Sequence, residues 1–300
     1  MTEQPANFLG LGPPFSDYDP ARVALLPIPY DATASYLAGT RHGPAAIIEA
    51  SQHLEWFDEE LRRELHRCGI TTLEPVPTVA AGPEAMHQEI YRRARRVVRD
   101  GKFLIGVGGE HGITSALIRA TAQRHRSLSV LQIDAHTDLR DTFQGSGYSH
   151  ACVMRRSLDY VDRLTAVGIR SMSLEEHRFV KKAAAAASGC SITVVEARDC
   201  RRNDEWIERA LTSLGETVYV TIDIDGFDPA YAPGTGTPEP GGLDWFQVTS
   251  LLRRVASEKR IVGADVVEVL PLPGQAITEF LAARLIYKLI AYVESDRRSA

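Results

Sequence analysis

Four aspartates and two histidines stand at or just after the ends of apolar runs in this sequence. The stretch Ile-Asp-Ala-His-Thr-Asp at 133–138 ends one such run and carries Asp134, His136 and Asp138 at every second position. An extended backbone directs alternate side chains to one side, so this spacing predicts that the three groups face the same way. Carboxylates and imidazoles that converge in this manner are candidate metal ligands.

Other apolar runs end in the same kinds of residue. The stretch Gly-Gly-Glu-His follows one run and brings His111, and Asp-Ile-Asp ends another with Asp223 and Asp225. Glu268 follows a fourth run. Because ligands bind beyond the carboxyl ends of parallel strands, we expect these groups to lie together at one edge of a sheet.

A calcium loop is an alternative interpretation of the second aspartate pair, but its spacing is wrong. With Asp223 and Asp225 at loop positions 3 and 5, position 1 would be Thr221. Position 12, which must be acidic, would be Ala232. The pair is therefore better explained together with the other acids and imidazoles.

The charge of the set predicts how many cations it holds. Four buried carboxylates without cations would repel one another and could not all ionise, whereas two divalent cations balance them. Bridging carboxylates hold such a pair about 3.5–4 Å apart. Mostly oxygen ligands, some imidazole and no thiolate favour Mn²⁺, with Zn²⁺, Fe²⁺ and Co²⁺ as alternatives. We therefore predict two Mn²⁺ per chain.

Strand-like and helix-like segments alternate after residue 20, as is typical of a parallel sheet with helices on both faces. The predicted strands are 22–28, 102–107, 128–133, 164–168, 191–195, 217–223 and 260–269. The predicted helices are 43–51, 83–99, 112–125, 174–187, 203–214, 244–257 and 275–293. With no internal repeat or linker, we predict one domain over residues 1–300, with residues 1–20 as an N-terminal arm.

Composition and charge argue against several classes of function. The 300-residue chain is 44% apolar and 24% charged, with a formal net charge of −5, which is ordinary for a globular protein. It has no basic stripe for nucleic acid and no apolar run long enough for a membrane span. No signal-peptide pattern is present, and the four scattered cysteines favour reduced thiols. We expect a cytoplasmic protein.

Three motifs, in this order, resemble the signature of the ureohydrolases, the family of arginase, agmatinase, guanidinobutyrase and formimidoylglutamase. They are Gly-Gly-Glu-His at 108–111, Asp-Ala-His-Thr-Asp at 134–138 and Asp-Ile-Asp-Gly-Phe-Asp-Pro at 223–229. Together they are highly specific, and the resemblance covers residues 22–293. It implies an α/β fold of three α/β/α layers around a mostly parallel sheet of about eight strands, the arginase-like fold.

The resemblance also implies how two Mn²⁺ ions are held. The ligands of one ion would be His111, Asp134, Asp138 and Asp223. The ligands of the other would be Asp134, His136, Asp223 and Asp225. Asp134 and Asp223 would therefore bridge the two ions.

Three residues are predicted to act on the substrate, while the bridged cations lower the pKa of a shared water. Glu268 is predicted to bind and orient a guanidinium group. Asp138 is predicted to take a proton and pass it to the leaving nitrogen. His150 is predicted to contact the substrate and shuttle a proton to the same nitrogen, because imidazole titrates near neutral pH.

The stretches 29–44, 148–156 and 232–243 look like agmatinase segments. The expected reaction is hydrolysis of a C–N bond in agmatine, a small cationic guanidine, to give putrescine and urea. The alternatives are another guanidine hydrolase of the family (guanidinobutyrase, arginase or formimidoylglutamase) and an inactive metal-binding regulatory homologue. A binuclear metallophosphoesterase should carry Gly-Asp-x-x-Asp and Gly-Asn-His-[Asp/Glu], and neither is present. The resemblance implies a homotrimer or homohexamer.

Overall fold

The predicted alternation of strands and helices builds a sheet covered on both faces. The structure, a computed structural model, describes residues 7–184 and 189–296. Its strands are β1 (Val23–Ile28), β2 (Phe57–Asp58), β3 (Arg63–Glu64), β4 (Ile70–Thr72), β5 (Phe103–Gly108), β6 (Leu128–Ile133), β7 (Arg163–Ile169), β8 (Ser191–Glu196), β9 (Thr217–Asp223) and β10 (Arg260–Val267). Its α-helices are α1 (Gly43–Ser51), α2 (Pro83–Arg99), α3 (Thr114–Ala122), α4 (Val153–Ser157), α5 (Leu174–Ala184), α6 (Glu205–Ser213), α7 (Trp245–Glu258) and α8 (Ile277–Asp296).

Within the described residues, eight strands form one sheet in the order β4-β1-β5-β10-β9-β6-β7-β8. Every neighbouring pair in this sheet runs parallel. Strands β5, β6 and β9 are buried at every residue, because helices cover both faces of the sheet. This burial explains their near-continuous apolar runs, and the prediction of a mostly parallel sheet of about eight strands is confirmed.

Alternate side chains of a strand enter two different cores. On β1, Val23 and Leu25 pack into the core that also contains residues of α1, α6, α7 and α8. Ala24 and Leu26 pack into the opposite core, which contains residues of α2, α3 and α4, with α5 packed against it. The three layers follow from this division.

The strand register brings the carboxyl ends of the central strands level. Asp223, the last residue of β9, pairs with Val267 at the end of β10. On the other side of β9, Ile222 pairs with Ile133, the last residue of β6. Strand β5 pairs with β10 in the same direction. The loops that follow four neighbouring strands therefore begin at one edge of the sheet.

Three short elements were not predicted from the sequence: β4, the antiparallel pair β2–β3 and helix α4. Elements of two to five residues carry too little periodicity to be recognised. β4 exists through its hydrogen bonds to β1. The prediction that the last strand runs to residue 269 is wrong, because Glu268 has a φ of +62°, which an extended strand does not have.

Parts of two predictions lie outside the described residues. These parts are residues 185–187 of the predicted helix 174–187 and residues 1–6 of the predicted N-terminal arm. The remainder of the arm is irregular, and Phe8 and Leu11 are buried in the core with α1 and α8. A single domain over residues 1–300 stays a prediction. None of the four cysteines, all within the described ranges, forms a disulfide.

Candidate metal centre and active site

The structure brings all eight predicted site residues together at the carboxyl edge of the sheet. Six of them line a cavity of about 280 Å³. His111 and Asp134 are buried, and they contact Asp138 and His136 of that set respectively. Their positions follow from the strands that precede them. The residues and their elements are His111 in the turn after β5, Asp134, His136 and Asp138 after β6, Asp223 and Asp225 at and after β9, Glu268 after β10, and His150 before α4.

One group of ligand atoms surrounds the ring of His111. Its Nδ1 lies 3.1 Å from Oδ2 of Asp134 and 3.1 Å from Oδ2 of Asp138. Oδ2 of Asp223 lies 3.3 Å from the same nitrogen. One nitrogen has a single hydrogen to donate, so three oxygens around it are not explained by one hydrogen bond. Donor atoms at about 2.0–2.2 Å from one cation lie roughly 3–3.5 Å apart, and this group fits that spacing.

A second group surrounds the ring of His136. Its Nδ1 lies 3.0 Å from Oδ2 of Asp225 and 3.6 Å from Oδ1 of Asp134. Asp134 therefore directs one oxygen to each imidazole. Within residues 7–184 and 189–296, two groups are spaced to hold a metal, namely His111 with Asp134 and Asp223, and Asp134 with His136 and Asp225.

The backbone does not bring these groups together by simple alternation, as the sequence pattern had suggested. Asp138 has a φ of +52°, so a left-handed residue rather than an extended one turns its carboxylate toward His111. Asp225 lies in the helical turn Ile224–Gly226, and its N–H donates a 2.9 Å hydrogen bond to Oδ1 of Asp223. The side chains do converge as predicted. Alternation along an extended backbone, however, explains their direction only up to the strand ends, and the turns beyond place Asp138 and Asp225.

The aspartates and imidazoles strongly alter each other's pKa values. Burial by itself lowers the pKa of both histidines, but hydrogen bonds to the aspartates raise the pKa of His111 well above its usual range and that of His136 to about 12. Burial, followed by neighbouring carboxylates, raises the pKa of Asp223 well above its usual range and that of Asp138 to about 6. The site therefore favours positive charge, which a bound divalent cation supplies in place of protons.

Polar residues within the strands orient the ligands. Gln132 donates a 2.8 Å hydrogen bond to Oδ2 of Asp134. The hydroxyl of Thr221 donates to Asp265 at 2.7 Å, so its oxygen accepts from Nε2–H of His111 at 2.9 Å. That arrangement turns Nδ1 of His111 toward the aspartates, as the outer partner of a ligating histidine usually does. The roles of Gln132 and Thr221 were not predicted from the sequence, although each is a polar residue inside an apolar strand.

Glu268 is fixed at both its backbone and its side chain. Its N–H donates a 2.7 Å hydrogen bond to the carbonyl of Gly109, and its Oε1 accepts a 2.6 Å hydrogen bond from the N–H of His111. Burial, together with nearby acids, raises its pKa well above the usual range. A buried carboxylate of this kind is expected to bind a cation tightly.

His150 lines the same cavity at its rim. Burial, followed by the nearby charge of His111, lowers the pKa of His150 to about 4. The ring is therefore neutral at physiological pH, and its pKa lies below the near-neutral value expected from the sequence. Oγ1 of Thr33 lies 3.2 Å from its Nδ1, and Oγ of Ser35 lies 3.4 Å from its Nε2.

Arg170 organises the loop that carries Asp225, a role that was not predicted from the sequence. Its Nη2 donates hydrogen bonds of 2.7 Å to the carbonyls of Asp225 and Glu239, and one of 3.2 Å to that of Phe227. One guanidinium with several fixed donors can tie two loops together in a way that lysine cannot. The second metal group therefore depends on Arg170 for the position of its backbone.

Comparison with known proteins agrees with this geometry. The model of the Arginase family matches residues 21–291, which is most of the chain. The chain belongs to the arginase family. Membership of this family accounts for the three motifs, the parallel sheet and the grouping of the candidate metal ligands.

This arginase-family chain is similar to proteins that act on agmatine-type compounds. It is 41% identical over 306 residues to N(1)-aminopropylagmatine ureohydrolase of Synechocystis sp., covering 99% of this chain and 97% of that one. It is 34% identical over 260 residues to agmatinase of Bacillus subtilis, covering 85% of this chain and 86% of that one. The solved structure of agmatine ureohydrolase of Thermoplasma volcanium matches with a TM-score of 0.82 at 33% identity, covering 94% and 92%.

These similarities confirm the predicted ureohydrolase family, the arginase-like fold and a hydrolase that acts on amidino C–N bonds. None of the helices in the part of the chain that the structure describes has the length and apolar composition needed to cross a membrane.

Proposed function

We propose that this arginase-family chain releases urea from a guanidino compound of the agmatine type and uses two Mn²⁺ ions to do so. The observation that carries the proposal is the shared ligand Asp134, whose two oxygens face His111 and His136 separately. A carboxylate shared between two groups is the usual means of holding a metal pair. Asp138 and Asp223 complete the first group, Asp225 belongs to the second, and Asp223 is proposed to bridge to it.

The metal ions and Glu268 are proposed to have separate roles: the ions supply the nucleophile, and Glu268 binds the substrate. Two bound divalent cations would lower the pKa of a shared water to near neutral and so supply the nucleophile. Glu268, buried and held by the N–H of His111, would pair with the guanidinium and fix its orientation. Its rigid attachment to the residue that begins the first metal group supports this role.

Proton movement is assigned to Asp138 and His150. Asp138, whose pKa is raised to about 6, would take a proton from the attacking water and pass it to the leaving nitrogen. His150 is neutral at physiological pH and lines the cavity, where it would relay a second proton, taken from solvent, to the same nitrogen so that the product leaves as an ammonium ion.

Two substrates of this type are supported by different observations. The higher identity to the Synechocystis relative, 41%, favours N(1)-aminopropylagmatine. The 34% identity to the Bacillus agmatinase and the agmatinase-like sequence stretches support agmatine. Residues 34–37 and 171–173 also line the cavity, and Tyr36 and Leu37 are 73% and 41% exposed. A longer amine would extend outward past these exposed residues. We therefore prefer N(1)-aminopropylagmatine and keep agmatine as the second candidate, in a cytoplasmic homotrimer or homohexamer.

A parallel urea-release assay tests the proposal. Manganese-loaded protein is given N(1)-aminopropylagmatine, agmatine, arginine and 4-guanidinobutyrate, and kcat/KM is compared. We expect the highest value for N(1)-aminopropylagmatine and the next for agmatine. Arginine or 4-guanidinobutyrate as the best substrate contradicts the substrate class, and no urea from any of the four contradicts the reaction.

A further inference from the structure

A hydrogen-bonded chain connects the buried acid Glu110 to His150 through Thr33. Glu110 is only 1% exposed and is not among the predicted ligands or substrate-binding residues. Its Oε2 accepts a 2.6 Å hydrogen bond from the N–H of Thr33, and its Oε1 accepts a 2.9 Å hydrogen bond from the Thr33 hydroxyl. The acid therefore holds Thr33 at two points.

The remaining hydrogen-bonding capacity of the Thr33 hydroxyl is taken up by His150. A hydroxyl group has one hydrogen and two lone pairs. The hydrogen goes to Glu110, one lone pair accepts the backbone N–H of His150 at 3.1 Å, and the other faces Nδ1 of the same residue at 3.2 Å. With the hydroxyl hydrogen given to an ionised Glu110, Nδ1 is the donor in the last contact.

The surroundings of the imidazole agree with that assignment. Oγ of Ser149 lies 3.5 Å from Nδ1, at the limit of hydrogen bonding, so Thr33 at 3.2 Å is the nearer partner of this nitrogen. Nε2 faces Oγ of Ser35, one of the residues that line the cavity. A serine hydroxyl can donate to an unprotonated Nε2 and can give way to a substrate nitrogen.

We propose that Thr33 is a positioning residue for His150: it fixes the tautomer with hydrogen on Nδ1 and thereby presents an unprotonated Nε2 to the cavity. This inference rests on the proposed function for its consequence in catalysis. Nε2 is then the atom that accepts a proton from solvent and delivers it to the leaving nitrogen, while Nδ1 keeps its hydrogen throughout. Glu110 acts one step further out, by orienting the Thr33 hydroxyl.

Paired substitutions of Thr33 test the catalytic consequence. Thr33→Val keeps the shape and the backbone N–H to Glu110 but removes the hydroxyl, and we expect kcat to fall at least about 10-fold with KM and bound manganese little changed. Thr33→Ser restores the hydroxyl and should recover most of the rate. In a His150→Ala background, Thr33→Val should cause no further loss, because residues that act as a unit are not additive.

A direct reading of the tautomer separates this inference from the proposed function. In metal-free protein with ¹⁵N-labelled histidine, the signals of His150 are assigned by their absence from His150→Ala. Hydrogen on Nδ1 in the parent and a mixed population in Thr33→Val support the proposal, even if no substrate yields urea. Hydrogen on Nε2 in the parent overturns it. An undiminished kcat in Thr33→Val, or equal further losses with and without His150, overturns it as well.

Discussion

The backbone N–H of His111 donates a 2.6 Å hydrogen bond to Oε1 of Glu268. The two residues follow β5 and β10, which are neighbours in the sheet, and lie 157 positions apart in sequence. One contact thus fixes the distance between the first metal group and the acid proposed to bind the guanidinium. The fixed carboxylate is available to a cation in the cavity without having to be reoriented.

Glu268→Gln tests the charge of this acid. The amide oxygen can still accept from His111, so the fold and the metal group should persist. The charge-assisted pairing with the guanidinium is lost, and kcat/KM should drop on the order of 100-fold or more. Urea release and metal content of the purified variant measure the two effects. A rate within twofold of the parent would contradict the proposed role of Glu268 in binding the guanidinium.

Asp134→Asn tests the shared ligand. A neutral amide cannot hold two cations as a carboxylate does, so we expect less than one bound manganese per chain and a urea-release rate below about 1% of the parent. Asp141→Asn is the matched control, since Asp141 lies in the same loop but is 59% exposed and pairs with Arg156. The control should keep both metal and rate. Two ions retained by Asp134→Asn would contradict the assignment.

Metal binding should release protons, because the carboxylates raise the pKa of His111 well above its usual range and that of His136 to about 12. A ligating imidazole must be neutral and a ligating Asp223, whose pKa is also raised, must be ionised, so filling both groups at pH 7 should release at least about two protons, one from each imidazole. Calorimetric titration with manganese in two buffers of different ionisation enthalpy measures that number. His136→Ala should release one fewer, and an enthalpy that is independent of the buffer would exclude this coupling.

His87, which belongs to neither metal group, should make the stability of the fold depend on pH. Burial, followed by the charge of Arg119, lowers its pKa from 6.5 to about 4. Between pH 6.5 and pH 4, His87 is protonated in the unfolded chain but not in the folded chain. The stability present above pH 6.5 is therefore lost as the pH falls toward 4, by up to about 3 kcal/mol. His87→Gln should lose less free energy of unfolding than the parent between pH 7 and pH 4.5, and equal losses would contradict this.

The strands, the direction of the sheet and the convergence of the candidate ligands were predictable, because each central strand is a buried apolar run with polar residues at or just after its end. The left-handed conformations of Asp138 and Glu268 were not, since a positive φ in a residue other than glycine depends on the structure around it. Sequence spacing therefore predicted the candidate ligands without explaining how Asp138 reaches His111.

The residues that hold the ligands were harder to predict, because their partners are distant in sequence. Thr33 lies 117 positions from His150, and Thr221 lies 110 from His111. Arg170 binds carbonyl groups, which carry no sequence signal at all. Glu110 stands beside His111 in a recognised motif, yet only the structure connects it to Thr33.

Two cations joined by Asp134 are proposed to make this chain a guanidine hydrolase. The most direct measurement is a manganese titration of metal-stripped protein, in which bound metal and urea release from N(1)-aminopropylagmatine and agmatine are followed together. We expect bound manganese to saturate at about two ions per chain, and urea release to reach its full rate only as the second ion binds. Full activity without metal or with one ion per chain, or no urea at any manganese content, would contradict the account.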